Sequence, residues 1–240
     1  MKFTRVIFLI YQWLIAAPIL LVVTFLTALL TIVGGLFNSD WWGYYPSRIW
    51  SKCMCALLFI TVEVKNKEYI DPKTSYVFVA NHQGAFDIFS IYGFLNHRFK
   101  WMMRKGLQNI PLIGLACHCA GHIMVDKSSP AKLKQTMETA EKRLKGGTSL
   151  VIFPEGRRSN DGKLQPFKKG AFKLALEFNL PVVPITIDGS YNVMPRSAKN
   201  VTPGKITITI HKPMSPGDDG HDINNVVDTC YKTIEESLKK

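Results

Sequence analysis

The hydrophobic pattern first sets apart the N-terminal part of the chain. No charged residue occurs between positions 6 and 37, whereas a helix needs only about 20 apolar residues to cross the ~30 Å hydrocarbon core of a bilayer. Pro18 is expected to kink this helix and Gly34-Gly35 to end it. Aromatic residues that favour a membrane interface follow at Trp41-Trp42 and Tyr44-Tyr45. The run exceeds the apolar stretch of a cleaved signal peptide, so a membrane-embedded helix is predicted.

A second, shorter apolar segment occupies positions 49–61. Basic residues flank the two segments on both sides: Lys2, Arg5, Arg48 and Lys52. Because segments rich in lysine and arginine stay in the cytoplasm, this distribution favours the cytoplasmic side for both ends. We therefore predict a membrane-embedded helical hairpin over residues 1–61, which either dips into one leaflet or crosses and returns. A single transmembrane anchor is the alternative.

The rest of the chain alternates between the periodicities of strands and helices. Strands are predicted at 62–64, 75–80, 101–103, 122–125, 149–153, 182–187 and 206–210. Helices are predicted at 86–95, 111–120, from Ser129-Pro130 to Gly146-Gly147, at 171–178 and at 223–238. This alternation predicts one α/β domain over residues 62–240, with a mixed, mostly parallel sheet flanked by helices.

Composition points to a membrane partner. Lys and Arg number 30 against 18 Asp and Glu, a net charge of +12, while 47% of the residues are hydrophobic. Only four of the basic residues and one acidic residue lie in 1–61, so the α/β domain is itself basic. A basic and apolar chain suits an anionic membrane surface. Without basic runs interleaved with aromatic residues, no nucleic-acid partner is expected.

The cysteines indicate a reducing compartment and no metal. Five are present, an odd number, at positions 53, 55, 117, 119 and 230. Cys117-His118-Cys119 with His122 resembles a metal cluster on paper, but it follows an apolar stretch, and no second Cys/His pair stands at a zinc-ribbon distance. Small buried hydrophobic side chains are the favoured interpretation of these cysteines.

The chemistry of the chain centres on the segment Asn81-His82-Gln83-Gly84-Ala85-Phe86-Asp87. A predicted strand stops at this segment and a predicted helix begins within it, which is how α/β proteins present side chains at a sheet edge. Gly84 allows a sharp turn that brings His82 and Asp87 together. Such a pair suits proton transfer near neutral pH, because the carboxylate sets the imidazole tautomer and stabilises the imidazolium. The alternative is a structural histidine bonded to an aspartate at a helix start.

Two further polar segments follow predicted strands. Proline ends the strand 149–153, and the segment Pro154-Glu155-Gly156-Arg157-Arg158-Ser159 then places a carboxylate and two guanidinium groups at the sheet edge. Arginine can pair with two phosphate oxygens at once, while Glu155 is expected to fix one arginine or to accept a hydrogen bond from a substrate hydroxyl. The second segment, 121–127, ends in Asp126 and Lys127. Solvated turns with exposed charges are the alternative.

Together these residues resemble the glycerolipid acyltransferases, and most closely the lysophosphatidic acid acyltransferases. The likeness rests on four motifs in order: Asn81-His82-x4-Asp87, Gly121 to Lys127, Phe153-Pro154-Glu155-Gly156-x-Arg158-Ser159 and Val183-Pro184-Ile185. It covers about residues 60–210, and the hydrophobic N-terminal pair of helices fits the family too.

The resemblance implies a role for each motif. His82 would take the proton from the acceptor hydroxyl, with Asp87 as its partner. Glu155, Gly156 and Arg158 would hold the glycerol phosphate, and Pro184 would shape the acceptor site.

Other basic residues would assist the phosphate site. Lys105 is a better candidate for a phosphate contact than Arg104. This sequence departs from the family pattern at two positions: Arg157 replaces the usual threonine, and Lys127 replaces an arginine. The positive charge is kept, but lysine lacks the planar fork of arginine, so the headgroup preference is less defined.

The predicted reaction is direct acyl transfer without an acyl-enzyme, because no Gly-x-Ser-x-Gly motif is present. An acyl group would pass from acyl-CoA or acyl carrier protein to the sn-2 hydroxyl of lysophosphatidic acid. Backbone amides of the glycine turns are the expected oxyanion donors. No cofactor is expected beyond the acyl donor as cosubstrate. A bacterial inner membrane, on its cytoplasmic face, is the expected location. Alternatives are the same chemistry on another lysolipid, or a non-catalytic protein that binds anionic membranes.

Overall fold

A computed structural model describes residues 2–126, 128–144, 148–215 and 222–239. The apolar N-terminal run forms one continuous helical rod, made of α1 (Lys2–Tyr11), a π-helical stretch (Gln12–Ala16) and α2 (Ala17–Gly35). The wider π turns lie just before Pro18, whose ring crowds the preceding turn and cannot donate a backbone hydrogen bond. Within the described residues, the segment Thr4–Gly35 is the one helix that is long and apolar enough to cross a membrane.

The second N-terminal helix begins earlier than the sequence pattern predicts. Helix α3 spans Ser39–Leu57 and is capped by Asn38, whose side chain accepts hydrogen bonds from two backbone amides of the first turn. The predicted segment 49–61 was therefore wrong at both ends. The chain leaves α3 through Phe59, in a left-handed conformation (φ 54°), and enters the first strand. Hydropathy alone could not separate an apolar helix end from the apolar strand that follows it.

The α/β domain is built on seven strands in the described part of the chain. They are β1 (Ile60–Lys65), β2 (Val77–Ala80), β3 (Phe99–Arg104), β4 (Ile123–Val125), β5 (Ser149–Ile152), β6 (Val182–Asp188) and β7 (Gly204–Ile210). Their order in the sheet is β1-β7-β6-β2-β5-β3-β4. The pairing is parallel throughout except between β6 and β7. The prediction of a mixed, mostly parallel sheet is confirmed.

Helices cover both faces of the sheet, with short 3-10 helices at Lys67–Tyr69 and Lys105–Asn109. The remaining helices are α4 (Phe86–Phe94), α5 (Ile113–Cys119), α6 (Pro130–Leu144), α7 (Gly170–Glu177), α8 (Ser190–Val193) and α9 (Ile223–Leu238). The predicted helix end at Gly146-Gly147 lies outside the described residues.

Side chains of the central strands divide between two hydrophobic cores, one on each face of the sheet. In β2, Phe78 and Ala80 join the core on the side of α3 and α4, while Val77 and Val79 join the core shared with α7 and α9. This alternation follows from the two-residue period of a strand. Because both faces are covered, β2 is apolar at every position.

The N-terminal helices share the first of these cores. Ala16 and Leu20 of the rod and Cys55 of α3 are buried in it, and α3 also packs on α4. The division between residues 1–61 and 62–240 stays a prediction, but the two parts are packed together.

Candidate active site

The predicted site residues gather at one edge of the sheet. Strands β6, β2, β5, β3 and β4 are mutually parallel, so their carboxyl ends lie along the same edge. His82 follows β2, Glu155 follows β5, Lys105 follows β3 and Asp126 follows β4. The sheet topology therefore brings together side chains that are up to 73 positions apart in the chain.

His82 and Asp87 form a hydrogen-bonded pair. The Nδ1 atom of His82 lies 2.7 Å from Oδ2 of Asp87. The same carboxylate oxygen accepts hydrogen bonds from the backbone amides of Gln83 (2.7 Å) and Gly84 (2.9 Å). Asp87 is fully buried, and the His82 side chain is 13% exposed. The carboxylate thus holds both the turn and the imidazole that the turn presents.

This geometry determines which imidazole nitrogen is available for chemistry. Because Asp87 accepts from Nδ1, the Nδ1–H tautomer is favoured, and Nε2 keeps its lone pair. The ring stacks on Phe153, with the ring centroids 4.0 Å apart and the planes at 10°. The stacking and the hydrogen bond together restrict rotation of the imidazole. The arrangement can accept a proton at Nε2.

The turn needs glycine at position 84 because another segment approaches it closely. A Cβ atom on Gly84 would collide with the backbone carbonyl of Ser190 at the start of α8. The amide of the next residue, Ala85, donates to the carbonyl of Met194 (3.1 Å). The segment after β6 therefore supports the His82 turn from one side.

Glu155 supports the turn from the other side. Its Oε1 atom accepts the backbone amide of His82 (2.6 Å), and its Oε2 atom accepts the backbone amide of Gln165 (3.0 Å). The residue is 3% exposed. Burial raises the pKa of this carboxyl to about 7, although the two amide hydrogen bonds act in the opposite direction. The prediction that Glu155 fixes an arginine is wrong, because both its carboxylate oxygens accept hydrogen bonds from backbone amides. Its contact with substrate stays a prediction.

The basic residues after Glu155 line a shallow polar cleft. Gly156 turns the chain with φ 74°, and Lys168 lies so near that a Cβ on Gly156 would be 2.7 Å from its Nζ atom. The cleft has a volume of about 190 Å³ and is lined by Arg157, Arg158, Ser159, Asn160, Asp161 and Gln165. The amide of Ser159 donates to the carbonyl of His82 (2.8 Å), which joins the cleft to the His82 turn.

Lys105 and Lys127 are the two other predicted phosphate ligands, and the structure describes only Lys105. Lys105 is half exposed and pairs with Asp126, with Nζ 2.8 Å from Oδ2. Hydrogen bonds from Lys105 and Ser128 hold the pKa of Asp126 well below its usual range. Lys127 lies outside the described residues.

Pro184 lies inside a strand, level with the last residue of β5 and one residue short of the end of β2. It is buried inside β6, in register with Val79 of β2, where the antiparallel pairing of β6 with β7 begins one residue later. Proline is tolerated there because no ladder donor is required of it. Its predicted influence on the acceptor site would have to act through the position of β2.

Two of the oxyanion donors that the sequence suggested are occupied by other groups. The amide of Gly84 donates to Asp87, and the amide of Gly156 donates to the carbonyl of Phe153 (3.0 Å). These two glycine amides shape their own turns, and the oxyanion donors among the other amides of the turns stay a prediction.

Asn81 has a structural role that the sequence motifs do not indicate. Its fully buried side chain accepts from the amide of Ile187 (2.7 Å) and donates to the carbonyl of the same residue (2.8 Å). This double hydrogen bond joins the end of β2 to the end of β6. The signal was available, since a buried asparagine directly after an apolar strand must find hydrogen-bond partners.

A second cleft, apolar in character, lies beside the His82 turn. Its volume is about 340 Å³, and it lies between the N-terminal rod, the end of α3 and the start of α4. Its lining includes Ala85 and Phe86 of the turn, Leu20 and Met54 of the N-terminal helices, and Lys199. The sequence pattern does not predict this cleft, because its walls come from segments that are far apart in the chain.

The segment with Cys117, His118, Cys119 and His122 resembles a metal cluster in the sequence, although no metal is expected there. Among the described residues, no three His, Cys, Asp or Glu side chains converge on a position for a metal ion. His122 instead contacts the Tyr92 hydroxyl (3.1 Å) and the backbone amide of Trp101 (3.3 Å).

Comparison with known proteins defines the class. The model of the Acyltransferase family matches residues 61–188, more than half of the chain and all of the segments that form the active edge. The chain belongs to the Acyltransferase family.

Relatives of known name agree with this assignment. A 1-acyl-sn-glycerol-3-phosphate acyltransferase of Chlamydomonas reinhardtii is 30% identical over 81% of this chain and 58% of its own length. A chloroplastic enzyme of the same name from Brassica napus is 32% identical over 81% of this chain and 56% of its own. The alpha form from Mus musculus is 31% identical over 65% and 55%. The chain thus matches a little over half the length of these relatives.

A solved structure has the same fold. The 1-acyl-sn-glycerophosphate (LPA) acyltransferase PlsC from Thermotoga maritima superposes with a TM-score of 0.77, covering 99% of this chain and 96% of its own, at 24% identity. The N-terminal helices are included in this coverage, so the predicted fold, with its hydrophobic two-helix motif, is confirmed.

Proposed function

We propose that this protein transfers a fatty acyl group to the sn-2 hydroxyl of lysophosphatidic acid and forms phosphatidic acid. The observation that carries the proposal is the His82–Asp87 pair, 2.7 Å apart at the edge of the sheet, beside one basic polar cleft and one apolar cleft. The phosphate headgroup of the acceptor and the acyl chain of the donor need two such neighbouring environments. The names of the relatives support the same acceptor.

His82 acts as general base in the proposed mechanism. Nε2 takes the proton of the acceptor hydroxyl as that oxygen attacks the acyl thioester carbon, and Asp87 stabilises the imidazolium that forms. The tetrahedral intermediate collapses, the C–S bond breaks, and the thiolate leaves with the proton returned from the imidazolium. General base catalysis of this kind contributes about 10²–10⁴-fold to the rate. No acyl-enzyme is needed.

The phosphate monoester of the acceptor binds beside the arginines. Arg157 and Arg158 line the polar cleft, and a guanidinium pairs with two phosphate oxygens in one plane. Lys168, close to Gly156, adds positive charge. Lys105 is the further predicted contact, and in the absence of substrate it is engaged by Asp126.

The acyl donor is acyl-CoA or acyl carrier protein, as a soluble cosubstrate. The apolar cleft beside Ala85 and Phe86 has the lining and the place that suit an acyl chain near the attacking hydroxyl. Its wall has two polar members, the exposed Lys199 and the buried Gln12.

The N-terminal helices anchor the protein to a membrane in this proposal. The outer face of the rod exposes large apolar side chains, for example Leu21, Val22 and Leu30, at 51–73%. Such a surface is unfavourable in water and suits lipid. A bacterial inner membrane, with the α/β domain on the cytoplasmic face, is the proposed location; some relatives are chloroplastic.

Thiol release from a long-chain acyl-CoA, with and without lysophosphatidic acid, tests the proposal. Purified protein in detergent should release thiol only when the acceptor is present, and His82→Ala should reduce the rate by about 10²-fold or more. His118→Ala, which removes an exposed histidine of α5, is the matched control and should retain full activity. Near-normal turnover by a folded His82→Ala variant would exclude His82 as the base.

The remaining alternatives give different results in the same assay. Another lysolipid acceptor would support thiol release where lysophosphatidic acid does not. A non-catalytic membrane-binding protein would bind anionic vesicles but release no thiol with any acceptor or donor, acyl carrier protein included.

A further inference from the structure

A second exposed apolar surface lies outside the N-terminal helices. Four large aliphatic side chains within nine residues are 38–53% exposed: Leu107, Ile110, Ile113 and Leu115. We call this surface patch 107–115. No charged residue occurs between positions 106 and 117. Single exposed apolar residues are normal on a protein surface, but a cluster of this kind marks a binding surface.

The patch leaves the sheet at the active edge. It follows β3 after two residues. Strand β3 is parallel to β5, and β5 is parallel to β2, the strand that precedes His82. The carboxyl ends of these strands share one edge. A partner bound to patch 107–115 therefore lies beside the catalytic turn.

A strained turn fixes the shape of the patch. Leu112 has φ 63° and ψ −51°, and the amide of Ile113 donates to the carbonyl of Pro111 (2.7 Å). This is a γ-turn in its rare form, which is strained for a non-glycine residue. The turn separates the 3-10 helix from α5 and keeps apolar side chains of both on the surface.

The patch is continuous with the apolar surface of the N-terminal helices. The corner between α2 and α3 packs against the end of α5, where a Cβ on Gly35 would lie 2.7 Å from the carbonyl oxygen of Cys119. Lys100 strengthens this junction, because its Nζ atom donates to the carbonyls of both Ser39 (3.0 Å) and Ala120 (2.7 Å). Large apolar side chains are also exposed at the corner, at 48–84%: Leu36, Phe37 and Trp41.

Positive charge lies at the other end of the patch. Arg104 and Lys105 are exposed directly before it, and Lys105 has one acidic partner, Asp126, at 2.8 Å. Apolar side chains bordered by basic ones are the pattern of surfaces that rest on anionic lipid.

We propose that patch 107–115 is a second membrane contact, which inserts into the headgroup region of an anionic bilayer and sets the active edge of the sheet against the lipid surface. The proposal rests on the membrane association given above and adds a contact on the catalytic domain itself. Its consequence is that an acceptor embedded in the bilayer reaches His82 without leaving the membrane surface.

A fluorescent probe at the patch tests the contact without requiring activity. The full chain, with the partly exposed Cys53, Cys117 and Cys119 replaced by alanine, carries Ile113→Cys labelled with NBD. A matched control carries the label at Leu133→Cys on α6, a residue of similar exposure (44% and 40%). Both proteins are bound to vesicles of phosphatidylglycerol and phosphatidylcholine, with and without doxyl-labelled lipid.

The expected result is a blue-shifted emission at position 113 that doxyl lipid quenches, and an aqueous emission at position 133. An aqueous emission at 113 would overturn the proposal. So would a blue shift that doxyl lipid does not quench, because the patch would then contact protein, such as a second copy of this chain.

A kinetic comparison tests the consequence for the acceptor. The triple variant Ile110→Gln, Ile113→Gln, Leu115→Gln should raise the KM for vesicle-borne lysophosphatidic acid about tenfold. Its kcat with a soluble short-chain acceptor should stay within about twofold, as should both constants of the control Leu133→Gln, Leu176→Gln. An unchanged KM, or an equal loss with both acceptors, would refute the orienting role. Lack of turnover by the unmodified chain would remove the proposed function and leave the probe result intact.

Discussion

At the scale of single residues, one carboxylate organises the catalytic turn. Oδ2 of Asp87 accepts hydrogen bonds from the imidazole Nδ1 and from two backbone amides, and the residue is fully buried. Three donors on one oxygen fix the direction in which the carboxylate faces. Asp87 therefore joins the fold of the turn to the orientation and tautomer of His82.

Asp87→Asn should preserve the fold of the turn but impair the support that residue 87 gives to the imidazole of His82. An amide oxygen can still accept the backbone amides, but it carries no charge to stabilise the imidazolium and its NH₂ group can favour the wrong tautomer. We expect kcat to fall by about 10²–10⁴-fold with little loss of secondary structure. Steady-state thiol release and circular dichroism measure the two effects. Asp188→Asn, an exposed carboxyl at the end of β6, is the control, and a folded Asp87→Asn enzyme within threefold of normal would contradict the mechanism.

Glu155 should make stability depend on pH. Its folded pKa is raised to about 7 from an ordinary value of 4.5, so between these values the unfolded chain releases the proton and the folded chain keeps it. The contribution of Glu155 to stability is therefore fully present below about pH 4.5 and is lost as pH rises through 7.

Unfolding of the detergent-solubilised protein by urea measures this effect. The free energy of unfolding of the unmodified chain, relative to Glu155→Gln, should fall between pH 4.5 and 7 and then level off. Glu177→Gln, which removes an exposed carboxyl on α7, controls for the loss of one charge. A pH-independent difference would show that Glu155 is ionised throughout this range.

At the scale of elements, the active edge depends on links between strand ends that lie far apart in the chain. Asn81 joins β2 to β6, Glu155 joins the end of β5 to the His82 turn, and Ser159 returns a hydrogen bond to His82. Each link uses a backbone group that the sheet ladder leaves free where the strands diverge. The catalytic turn is thus held by its neighbours on both sides.

Asn81→Leu should destabilise the junction of β2 and β6. The substitution keeps the volume of the side chain but leaves the buried amide and carbonyl of Ile187 without their partners. Each orphaned group costs about 1–3 kcal/mol, so we expect a loss of roughly 2–5 kcal/mol in the free energy of unfolding. Asn192→Leu, at an exposed position of α8, should change stability by less than about 0.5 kcal/mol. Equal stability of the two variants would show that the Asn81 hydrogen bonds contribute nothing.

At the scale of the whole molecule, both ends of the apolar rod are attached to the α/β domain. Near one end, Gln12 accepts the amide of Val201 (3.0 Å) and Trp13 donates to Asn200 (3.0 Å). At the other end, Gly35 packs on Cys119. A helix crossing a ~30 Å hydrocarbon core would carry one end away from a domain on one side. These contacts favour a hairpin that lies in one leaflet over the crossing hairpin and the single anchor.

The basic residues of α3 fit the same orientation. Arg48 donates to the carbonyl of Gly93 (3.3 Å), and Lys52 lies over the ring of Phe94 (5.8 Å) at the end of α4. The charged side of α3 therefore faces the α/β domain and not the lipid, which removes the cost of placing these cations in hydrocarbon.

Labelling from the vesicle lumen distinguishes the arrangements. In protein that lacks Cys53, Cys117 and Cys119 and is bound with its α/β domain outside, Phe37→Cys at the corner should not react with an impermeant maleimide trapped inside the vesicles. Asn192→Cys should react only with maleimide added outside and reports the side of the domain. Labelling of position 37 from the lumen would establish a crossing hairpin.

The sequence by itself determined what depends on neighbouring residues. The pattern of hydrophobic and polar residues in the α/β domain predicted all seven strands of the described sheet to within a few residues, because each strand and helix has its own hydrophobic periodicity in the sequence. The contact between His82 and Asp87 was predicted from the polar segment at the end of β2. The two residues are five positions apart, and the turn at Gly84 is enough to bring them together. The order of the motifs predicted the family.

Only the tertiary structure decided what depends on the order of strands in the sheet. Glu155 looked like a partner for an arginine, yet its oxygens bind backbone amides, because β5 lies beside β2. Pro184 is buried within β6, so its predicted effect on the acceptor site depends on how β6 pairs with β2. The apolar cleft, the attachment of the rod to the α/β domain and patch 107–115 likewise depend on contacts between distant segments, which local periodicity does not encode.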